Sequence, residues 1–343
     1  MKKNRFIILL FILLLAVLYI FSSPIYKSVD ITSAVRLAHE ALMPNQEIIQ
    51  FESKNPFNFY DIFNRIDKMS SQKVYGVLTK PGRPGKYPLI MGVAGSKGWG
   101  DHHHGYMQRY LDMGFAVFTL HSFKSRDVES TVGEQLSVTT AMMIYDAFKA
   151  LETLSNDPEI DADRAGIIGW SLGGGVALFT AWQPIQKAIS PNHKFSAHIP
   201  IYPPCMAKPD ILNFNNVPIH ILIGEKDNWV PAAACEELVQ DLNASGHGID
   251  ITVYSNAHHS FDRDQDEIFI EDAYSFTDCR LRIAENGVVK TIKMGFPLSS
   301  PTLQKIGLAF CANRGTIYGG NEKALNHARD FAMSFMKQHL SAR

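Results

Sequence analysis

A five-residue motif near the middle of the chain constrains the fold more than any other feature: Gly169, Trp170, Ser171, Leu172 and Gly173. The preceding apolar run predicts a short strand, and the small and apolar residues after it predict a helix. A Gly-x-Ser-x-Gly pattern in that setting is typical of the nucleophile elbow, whose turn is so tight that its flanking positions accept little beyond a hydrogen atom. Such a turn raises the Ser171 hydroxyl above a sheet and aims the backbone N–H of Leu172 at a developing oxyanion. The alternative is a glycine-rich turn without catalysis.

A nucleophilic serine needs a base, and the base needs a carboxylate that orients it. A predicted strand downstream of the motif leads into a loop with two acids, of which we predict Asp227 and keep Glu225 as the alternative. The next predicted strand leads into two histidines, of which we predict His259 as the base and keep His258 as the alternative. Since these groups follow strand ends in the order serine, acid, histidine, the sequence predicts a single site above the sheet.

Three sequence segments carry a family resemblance: Gly-Trp-Ser-Leu-Gly-Gly, Gly-Glu-Lys-Asp-Asn-Trp-Val-Pro and His-His-Ser-Phe-Asp. Together they resemble the dienelactone hydrolase family of α/β-hydrolases over roughly residues 74–262 and the final helix. The resemblance implies an eight-stranded, mostly parallel sheet and hydrolysis of an ester or lactone through an acyl-enzyme. It also implies Ser171 as nucleophile, Asp227 as acid and His259 as base. The namesake enzyme has cysteine where this chain has serine, which favours a general esterase-like member.

Strands and helices alternate from about residue 74 to the end of the chain. The continuous apolar run at 89–93 predicts a strand buried on both faces, and 321–340 predicts a closing amphipathic helix. Thr131 and Glu134 form a capping-box pattern that predicts the start of a helix extending to about residue 154. The alternation predicts the α/β class: an α/β-hydrolase fold with a mostly parallel central sheet flanked by helices.

Residues 262–320, called the insertion from here on, break this alternation. Two short strand patterns at 279–283 and 288–292 flank Asn286-Gly287, and Asn-Gly is a strong hairpin signal. We predict an inserted hairpin and loop before the last helix. It forms either a lid or rim of the active site or a passive surface excursion.

The loop after the strand at 89–93 occupies the place from which a second oxyanion donor comes. We predict the backbone N–H of Ser96 in this role, with Gly95 and Lys97 as alternatives. Three consecutive histidines at 102–104 suggest a metal site, but adjacent residues on regular structure cannot all face one ion. We therefore predict a polar rim of the pocket or a helix start there, and we expect neither a metal ion nor a cofactor.

The beginning of the chain differs from the rest. Lys2, Lys3 and Arg5 precede an unbroken apolar run at 6–21, which is the pattern of a secretory signal. The run falls just short of the roughly 17–25 residues of a spanning helix. Both an uncleaved signal anchor, which would form an N-terminal hydrophobic anchor helix, and a cleaved signal peptide remain open.

These alternatives give the domain organisation. We assign 1–23 to the signal or anchor, 24–70 to a juxtamembrane segment with short helical pieces, and 71–343 to the hydrolase domain with its insertion. The positive-inside rule places the charged N-terminal end in the cytoplasm and the hydrolase domain on the extracytoplasmic, periplasmic side of the membrane. Cleavage of the leader would make the protein secreted.

Charge and cysteine content exclude further classes. With 33 Lys and Arg against 34 Asp and Glu, the net charge is −1 and no basic patch indicates nucleic acid. Four cysteines fit an oxidising compartment, and none has metal-ligand spacing. Cys279 and Cys311 are the better disulfide candidates, whereas Cys235 falls on an apolar helix face and is predicted to be a buried thiol.

Taken together, the motifs predict a serine hydrolase acting on a small ester or lactone substrate. The alternatives are a peptidase or acyltransferase that uses the same three residues, and a membrane-anchored binding protein without turnover. Four aromatic side chains near strand ends either line an apolar pocket or are simply packed: Trp99, Trp170, Tyr202 and Trp229.

Overall fold

The computed structural model describes residues 11, 26–43 and 45–341. The predicted signal or anchor at 1–23 therefore lies outside the described residues, apart from Phe11. The strands are β1 (Gln46–Lys54), β2 (Ser71–Thr79), β3 (Tyr87–Val93), β4 (Ala116–Leu120), β5 (Ile160–Trp170), β6 (Ala197–Ile201), β7 (Ala207–Pro209), β8 (Ile219–Gly224), β9 (Ile249–Tyr254), β10 (Ile268–Ser275), β11 (Leu281–Ile283), β12 (Val289–Thr291) and β13 (Asn313–Tyr318). The α-helices are α1 (Thr32–Glu40), α2 (Phe59–Asn64), α3 (Asp101–Asp112), α4 (Thr140–Leu154), α5 (Leu172–Phe179), α6 (Gln183–Ile189), α7 (Ala232–Ala244), α8 (Pro301–Leu308) and α9 (Glu322–Leu340).

Eight strands form one sheet in the order β1-β2-β4-β3-β5-β6-β8-β9. The β1–β2 and β2–β4 pairs are antiparallel, and the remaining neighbours are parallel. The prediction of an eight-stranded, mostly parallel sheet flanked by helices is confirmed. Because β5 lies in the middle and β6, β8 and β9 follow it on one side, the loops at their carboxyl ends meet at one edge of the sheet.

The sheet begins earlier in the chain than the expected domain start at residue 71. Strand β1 pairs with β2 along its whole length, from Gln46 opposite Thr79 to Lys54 opposite Ser71. Residues 24–70 thus contain an edge strand of the central sheet as well as the short helices expected there. No helix among the described residues is both long and apolar enough to cross a membrane.

The helix predicted to begin at Thr131 begins at Thr140 instead. Gly133 has φ 83° and Gln135 has φ 54°, left-handed values that interrupt a right-handed helix. The side chain of Thr139 caps α4 by accepting a hydrogen bond from a backbone N–H in its first turn. The capping-box pattern therefore belongs to a turn that precedes the helix.

The insertion contains the predicted hairpin and also pairs with the rest of the molecule. Strands β11 and β12 are antiparallel around the Asn286-Gly287 turn, and β11 pairs in parallel with β7. Strands β10 and β13 form a separate antiparallel pair. The insertion is therefore joined by backbone hydrogen bonds to the segment that follows β6, close to the carboxyl edge of the sheet.

Two disulfide bonds hold this side of the molecule. Cys279 and Cys311, the predicted candidates, are bonded across 32 residues. Cys205 and Cys235 are also bonded, with 4.9 Å between their Cα atoms, so the prediction that Cys235 is a free buried thiol is wrong. Cys235 is indeed fully buried on α7, but its partner approaches through a tertiary contact that helical periodicity does not contain.

Candidate active site

Ser171 lies between β5 and α5 in a strained turn. Its backbone angles are φ 55° and ψ −116°, a conformation that side chains rarely adopt. A Cβ atom at Gly169 would overlap the carbonyl oxygen of Gly173, so the turn requires glycine there. The Ser171 N–H donates to the carbonyl of Ile201 at 2.9 Å, which fixes the turn against β6. The predicted elbow is therefore present, with its hydroxyl at the carboxyl edge of the sheet.

A chain of hydrogen bonds joins Ser171, His259 and Asp227. The Ser171 Oγ lies 2.9 Å from His259 Nε2, and His259 Nδ1 lies 2.7 Å from Asp227 Oδ2. With Nδ1 protonated, the imidazole donates to the carboxylate and accepts from the serine hydroxyl. The other carboxylate oxygen, Oδ1, accepts from the backbone N–H groups of Trp229 and Val230 at 3.0 and 2.9 Å, which fixes its orientation.

The alternative partners lie elsewhere. Glu225 is exposed and accepts a hydrogen bond from the Asn256 N–H at 2.9 Å. The Nε2 atom of His258 lies 3.6 Å from a carboxylate oxygen of Glu267. The structure thus brings together Ser171 and the two preferred partners, both of which are buried.

Ser96 lies beside the elbow, as predicted from its loop. Ser96 lines the same cavity as Ser171 and Leu172, the first residue of α5. Its carbonyl accepts from the Thr131 N–H at 2.9 Å, and its hydroxyl accepts from the Gln135 side chain at 3.3 Å. The loop is therefore held on two sides next to the serine.

Two aromatic rings enclose His259. The ring of Tyr202 lies 4.7 Å from the imidazole centroid, and the ring of Trp229 lies 5.0 Å from it. Trp170 is fully buried and packs against Trp99, whose indole N–H donates to the carbonyl of Leu120 at 2.9 Å. Trp229 and Tyr202 thus shape the site directly, whereas Trp99 is mainly packed beneath it.

A buried carboxylate next to the site was not anticipated from the sequence. Asp262 has no exposed surface, and it accepts hydrogen bonds from the Trp170 indole at 3.0 Å and the Tyr202 hydroxyl at 2.8 Å. Burial, aided by the nearby Asp262 charge, holds the pKa of Tyr202 well above its usual range, so its hydroxyl stays a donor. The sequence offered one signal: Asp262 ends the His-His-Ser-Phe-Asp segment, three residues after His259.

The consecutive histidines form the beginning of α3, as one of the predicted alternatives had it. The helix starts at Asp101, and the ring of His103 accepts from the Gly100 N–H at 3.1 Å. Burial lowers the pKa of His102 to about 4 and holds that of His103 well below its usual value, so both are neutral. His103 packs against Trp170 and also lines a smaller cavity at Ser171, and His102 packs against His103.

A large apolar cavity opens beside Ser171. It encloses about 1080 Å³ of empty space, part of which is open to solvent. The insertion contributes Leu281, Val289, Leu298 and Leu308 to its wall, and α2 with the preceding loop contributes Phe57 and Phe59. The insertion therefore forms part of the rim of this site, one of the two predicted alternatives.

Residues 74–285, well over half of the chain, match the dienelactone hydrolase family. The chain belongs to that family. Its fold is similar to m3DLH, at 16% identity over 87% of this chain and 100% of that one, with a TM-score of 0.55. It is also similar to the dienelactone hydrolase-like promiscuous phosphotriesterase P91 from metagenomic libraries, at 14% identity, 87% and 100% coverage and a TM-score of 0.54. No curated protein matches its sequence significantly.

Membership of the dienelactone hydrolase family indicates that the chain is a hydrolase. The low sequence identities to the two solved structures establish only the fold. The family match ends at residue 285, within the insertion, and starts at residue 74, within β2. Strand β1, α2 and the later part of the insertion therefore lie outside it. Of these, α2 with the preceding loop and the insertion contribute to the cavity wall.

Proposed function

We propose that this protein is a serine hydrolase that cleaves carboxylic esters or lactones through an acyl-enzyme. The observation that carries the proposal is the hydrogen-bonded chain from Ser171 through His259 to Asp227 beside an apolar cavity. A serine hydroxyl within 2.9 Å of an oriented imidazole is the arrangement that activates a weak nucleophile.

The mechanism follows from these positions. His259 takes the proton as Ser171 Oγ forms a bond to the carbonyl carbon, and the backbone N–H groups of Leu172 and Ser96 stabilise the oxyanion. His259 then gives the proton to the leaving alkoxide oxygen as its bond to carbon breaks. A water molecule repeats the sequence on the acyl-enzyme and releases the acid. Asp227 holds the imidazole in one tautomer throughout, and no cofactor takes part.

The family match supports an ester or lactone as the substrate class, and the cavity is compatible with it. The large cavity is lined mainly by apolar side chains, which suits an ester's acyl group. Cleavage of aminoacyl amides would indicate a peptidase instead, and transfer of the acyl group to an added alcohol rather than to water would indicate an acyltransferase.

Labelling with a fluorophosphonate probe tests the nucleophile. We expect the wild type to be labelled, Ser171→Ala to lose the label, and the exposed Ser245→Ala control to keep it. Hydrolysis of p-nitrophenyl esters should show the same dependence and release a burst of p-nitrophenol as the acyl-enzyme accumulates. An unlabelled wild type, or equal labelling of Ser171→Ala, would exclude the proposal and leave a binding protein without turnover.

We also propose that the hydrolase domain works outside the cytoplasm, attached to the membrane by its N-terminal segment or secreted after cleavage. The basic and apolar residues at 2–21 support this placement, and so do two disulfide bonds, which persist in oxidising compartments. A reporter enzyme that is active only outside the cytoplasm, fused after Arg343, should be active if the hydrolase domain is exported and inactive if it is not. N-terminal sequencing of the purified protein separates the alternatives, since an intact leader indicates an anchor.

A further inference from the structure

Two cavities meet at Ser171, and their walls differ. The larger one is the apolar cavity described above, which contains Ser171, Leu172 and Ser96 but not His259. The smaller one also contains Ser171 and Ser96 and is bordered by His259, Lys97 and Arg263. The imidazole thus faces only one of the two spaces that a substrate bound at the serine can occupy.

This division orients the substrate. The leaving oxygen must lie within reach of His259, because the imidazole delivers its proton. The acyl group is on the other side of the carbonyl carbon, next to the oxyanion donors. We propose that the larger cavity is the acyl site and that it selects apolar acyl groups bulkier than acetyl. This inference rests on the proposed function, because it assigns the two halves of the ester to the two cavities.

The insertion determines much of this selectivity. Leu281 of β11 and Val289 of β12 line the acyl site from the hairpin, and Leu308 lines it from α8. Phe59 and Phe179 contribute from the opposite side, with ring centroids 5.4 Å apart. Each methylene group that leaves water for such an apolar wall increases association roughly fourfold.

The test compares p-nitrophenyl acetate with p-nitrophenyl hexanoate. We expect a kcat/KM at least about tenfold higher for the hexanoate in the wild type. Val289→Trp, which fills the acyl site from the insertion, should lower kcat/KM for the hexanoate at least about tenfold and leave the acetate within about threefold. Arg282→Trp is the matched control, since Arg282 is exposed between the buried Leu281 and Ile283 of β11, and both kcat/KM values should stay within about threefold.

The outcomes separate this inference from the function on which it rests. Ser171-dependent labelling with equal kcat/KM for both esters overturns the acyl-site assignment alone. So does a Val289→Trp variant that loses activity on acetate and hexanoate equally while the folded fraction is unchanged. Absence of Ser171-dependent labelling overturns the proposed function itself.

A second inference rests on the outer surface of the insertion. Ile292, Met294, Ile306 and Phe310 are 50%, 56%, 40% and 62% exposed. The first two lie in the turn closed by the 2.9 Å hydrogen bond from the Thr291 N–H to the Phe296 carbonyl. The Phe296 ring, 6.3 Å from that of Phe310, connects this turn to the end of α8. These four residues form one surface, which we call the apolar patch.

The segment of chain that forms the apolar patch carries charges of one sign, and the acids nearest to it on other elements, Glu237 and Asp210, are paired with Arg280 and Arg282. Lys290, Lys293 and Lys305 accompany its residues, and the sequence from 286 to 321 contains no aspartate or glutamate. Exposed apolar side chains among lysines are typical of surfaces that lie in the headgroup region of anionic lipids. We infer that the apolar patch docks on an anionic bilayer surface.

Tyr26, at the start of the continuous described chain, lies on the same side of the molecule as the apolar patch. The Tyr26 ring stacks on Phe57 at 6.3 Å, and its hydroxyl donates to the Leu136 carbonyl at 2.9 Å. Phe57 borders the acyl site, and Gln304 of α8 donates to the carbonyl of Gln135 at 3.1 Å. The apolar run at 6–21 ends only a few residues before Tyr26, so a bilayer that holds this run is close to the apolar patch and the cavity.

An environment-sensitive fluorophore tests this docking on the full chain reconstituted into vesicles. A nitrobenzoxadiazole label at Met294→Cys should emit at shorter wavelength in phosphatidylglycerol-containing vesicles than in pure phosphatidylcholine. A label at Asp112→Cys, at the end of α3 far from the carboxyl edge, should not respond. Lys290→Glu, Lys293→Glu and Lys305→Glu together should abolish the shift at position 294.

Three results would overturn the docking inference. One is an unshifted label at position 294 in anionic vesicles. Another is an equal shift in both lipids, or in the charge-reversed variant, because charge would then play no part. The third is a shift that appears without vesicles and grows with protein concentration, which identifies a second copy of the chain as the occupant.

Discussion

The indole N–H of Trp170 donates a 3.0 Å hydrogen bond to Asp262, a carboxylate with no exposed surface. The same carboxylate accepts from Tyr202 at 2.8 Å. Trp170 immediately precedes Ser171, and the ring of Tyr202 packs on His259. Asp262, which is not part of the serine–histidine–aspartate chain, therefore connects Trp170 beside the proposed nucleophile with Tyr202 beside the proposed base.

Replacing this carboxylate by an amide should weaken both the fold and the site. An asparagine at position 262 has one acceptor oxygen, so one of the two buried donors loses its partner. We expect Asp262→Asn to lower the free energy of unfolding by about 1–3 kcal/mol, measured by urea denaturation. It should also lower kcat/KM, because the ring over His259 is no longer fixed. Tyr202→Phe removes the hydrogen bond that fixes the same ring and should also lower kcat/KM; an unchanged Asp262→Asn midpoint would contradict the argument.

Asp227, the proposed orienting carboxylate, gives a sharper test, because a nearby acid serves as control. Asp227→Asn should lower kcat by about 10³–10⁴, since the amide favours the wrong imidazole tautomer while the fold stays intact. Glu225→Gln, two residues away and exposed, should leave kcat within about twofold. Steady-state ester hydrolysis measures both, with circular dichroism to check folding. Comparable losses in the two variants would place the acid elsewhere.

The sequence predicts the parts of the site that depend on residues close together along the chain better than the parts that depend on distant contacts. The elbow was predictable because its glycines and Ser171 are consecutive, and their strand-to-helix setting is also local. Asp227 and His259 were predictable because each follows a strand end in a known order. The role of Asp262 was not predictable, since its partners Trp170 and Tyr202 lie 92 and 60 residues away along the chain.

The same distinction applies to the fold. Continuous apolar strands predict a buried parallel sheet, whereas β1 has the sequence QEIIQFESK, in which apolar residues are few and do not alternate regularly, so its strand signal is weak. The helix start at Thr131 was placed wrongly because a capping-box pattern also fits a turn, and the left-handed Gln135 is visible only in three dimensions. The partner of Cys235 required knowledge of how α7 packs against the end of β6.

A buried ion pair attaches β1 to the rest of the domain. Arg126 and Asp146 form two parallel hydrogen bonds of 2.7 and 2.9 Å, and both side chains are almost fully buried. The Arg126 guanidinium also donates to Asn55 at 2.7 Å and to the carbonyl of Lys54, the last residue of β1. The pair therefore fixes an element that lies outside the family match.

Asp146→Asn leaves a buried guanidinium without its counter-charge. We expect it to lower the free energy of unfolding by about 3–5 kcal/mol in urea denaturation. Glu152→Gln on the same helix breaks a half-exposed pair with Lys149, at 2.7 Å, and should cost no more than about 1 kcal/mol. Equal costs for the two variants would show that burial does not determine the strength of the Arg126–Asp146 pair.

Buried histidines should make the fold sensitive to acid. Burial lowers the pKa of both His102 and His198 to about 4, compared with about 6.5 in an unfolded chain. Between these values the unfolded chain binds protons that the folded chain excludes, so stability is complete above pH 6.5 and is lost as the pH falls towards 4. Each histidine should cost on the order of 1–2 kcal/mol between pH 7 and pH 5.

Urea denaturation at pH 7 and at pH 5 measures this loss of stability. His198→Gln, which keeps a donor for the Ala177 carbonyl, should reduce the loss by the amount that one histidine contributes. A variant with the same loss as the wild type would mean that His198 binds its proton as readily in the folded state as in the unfolded chain.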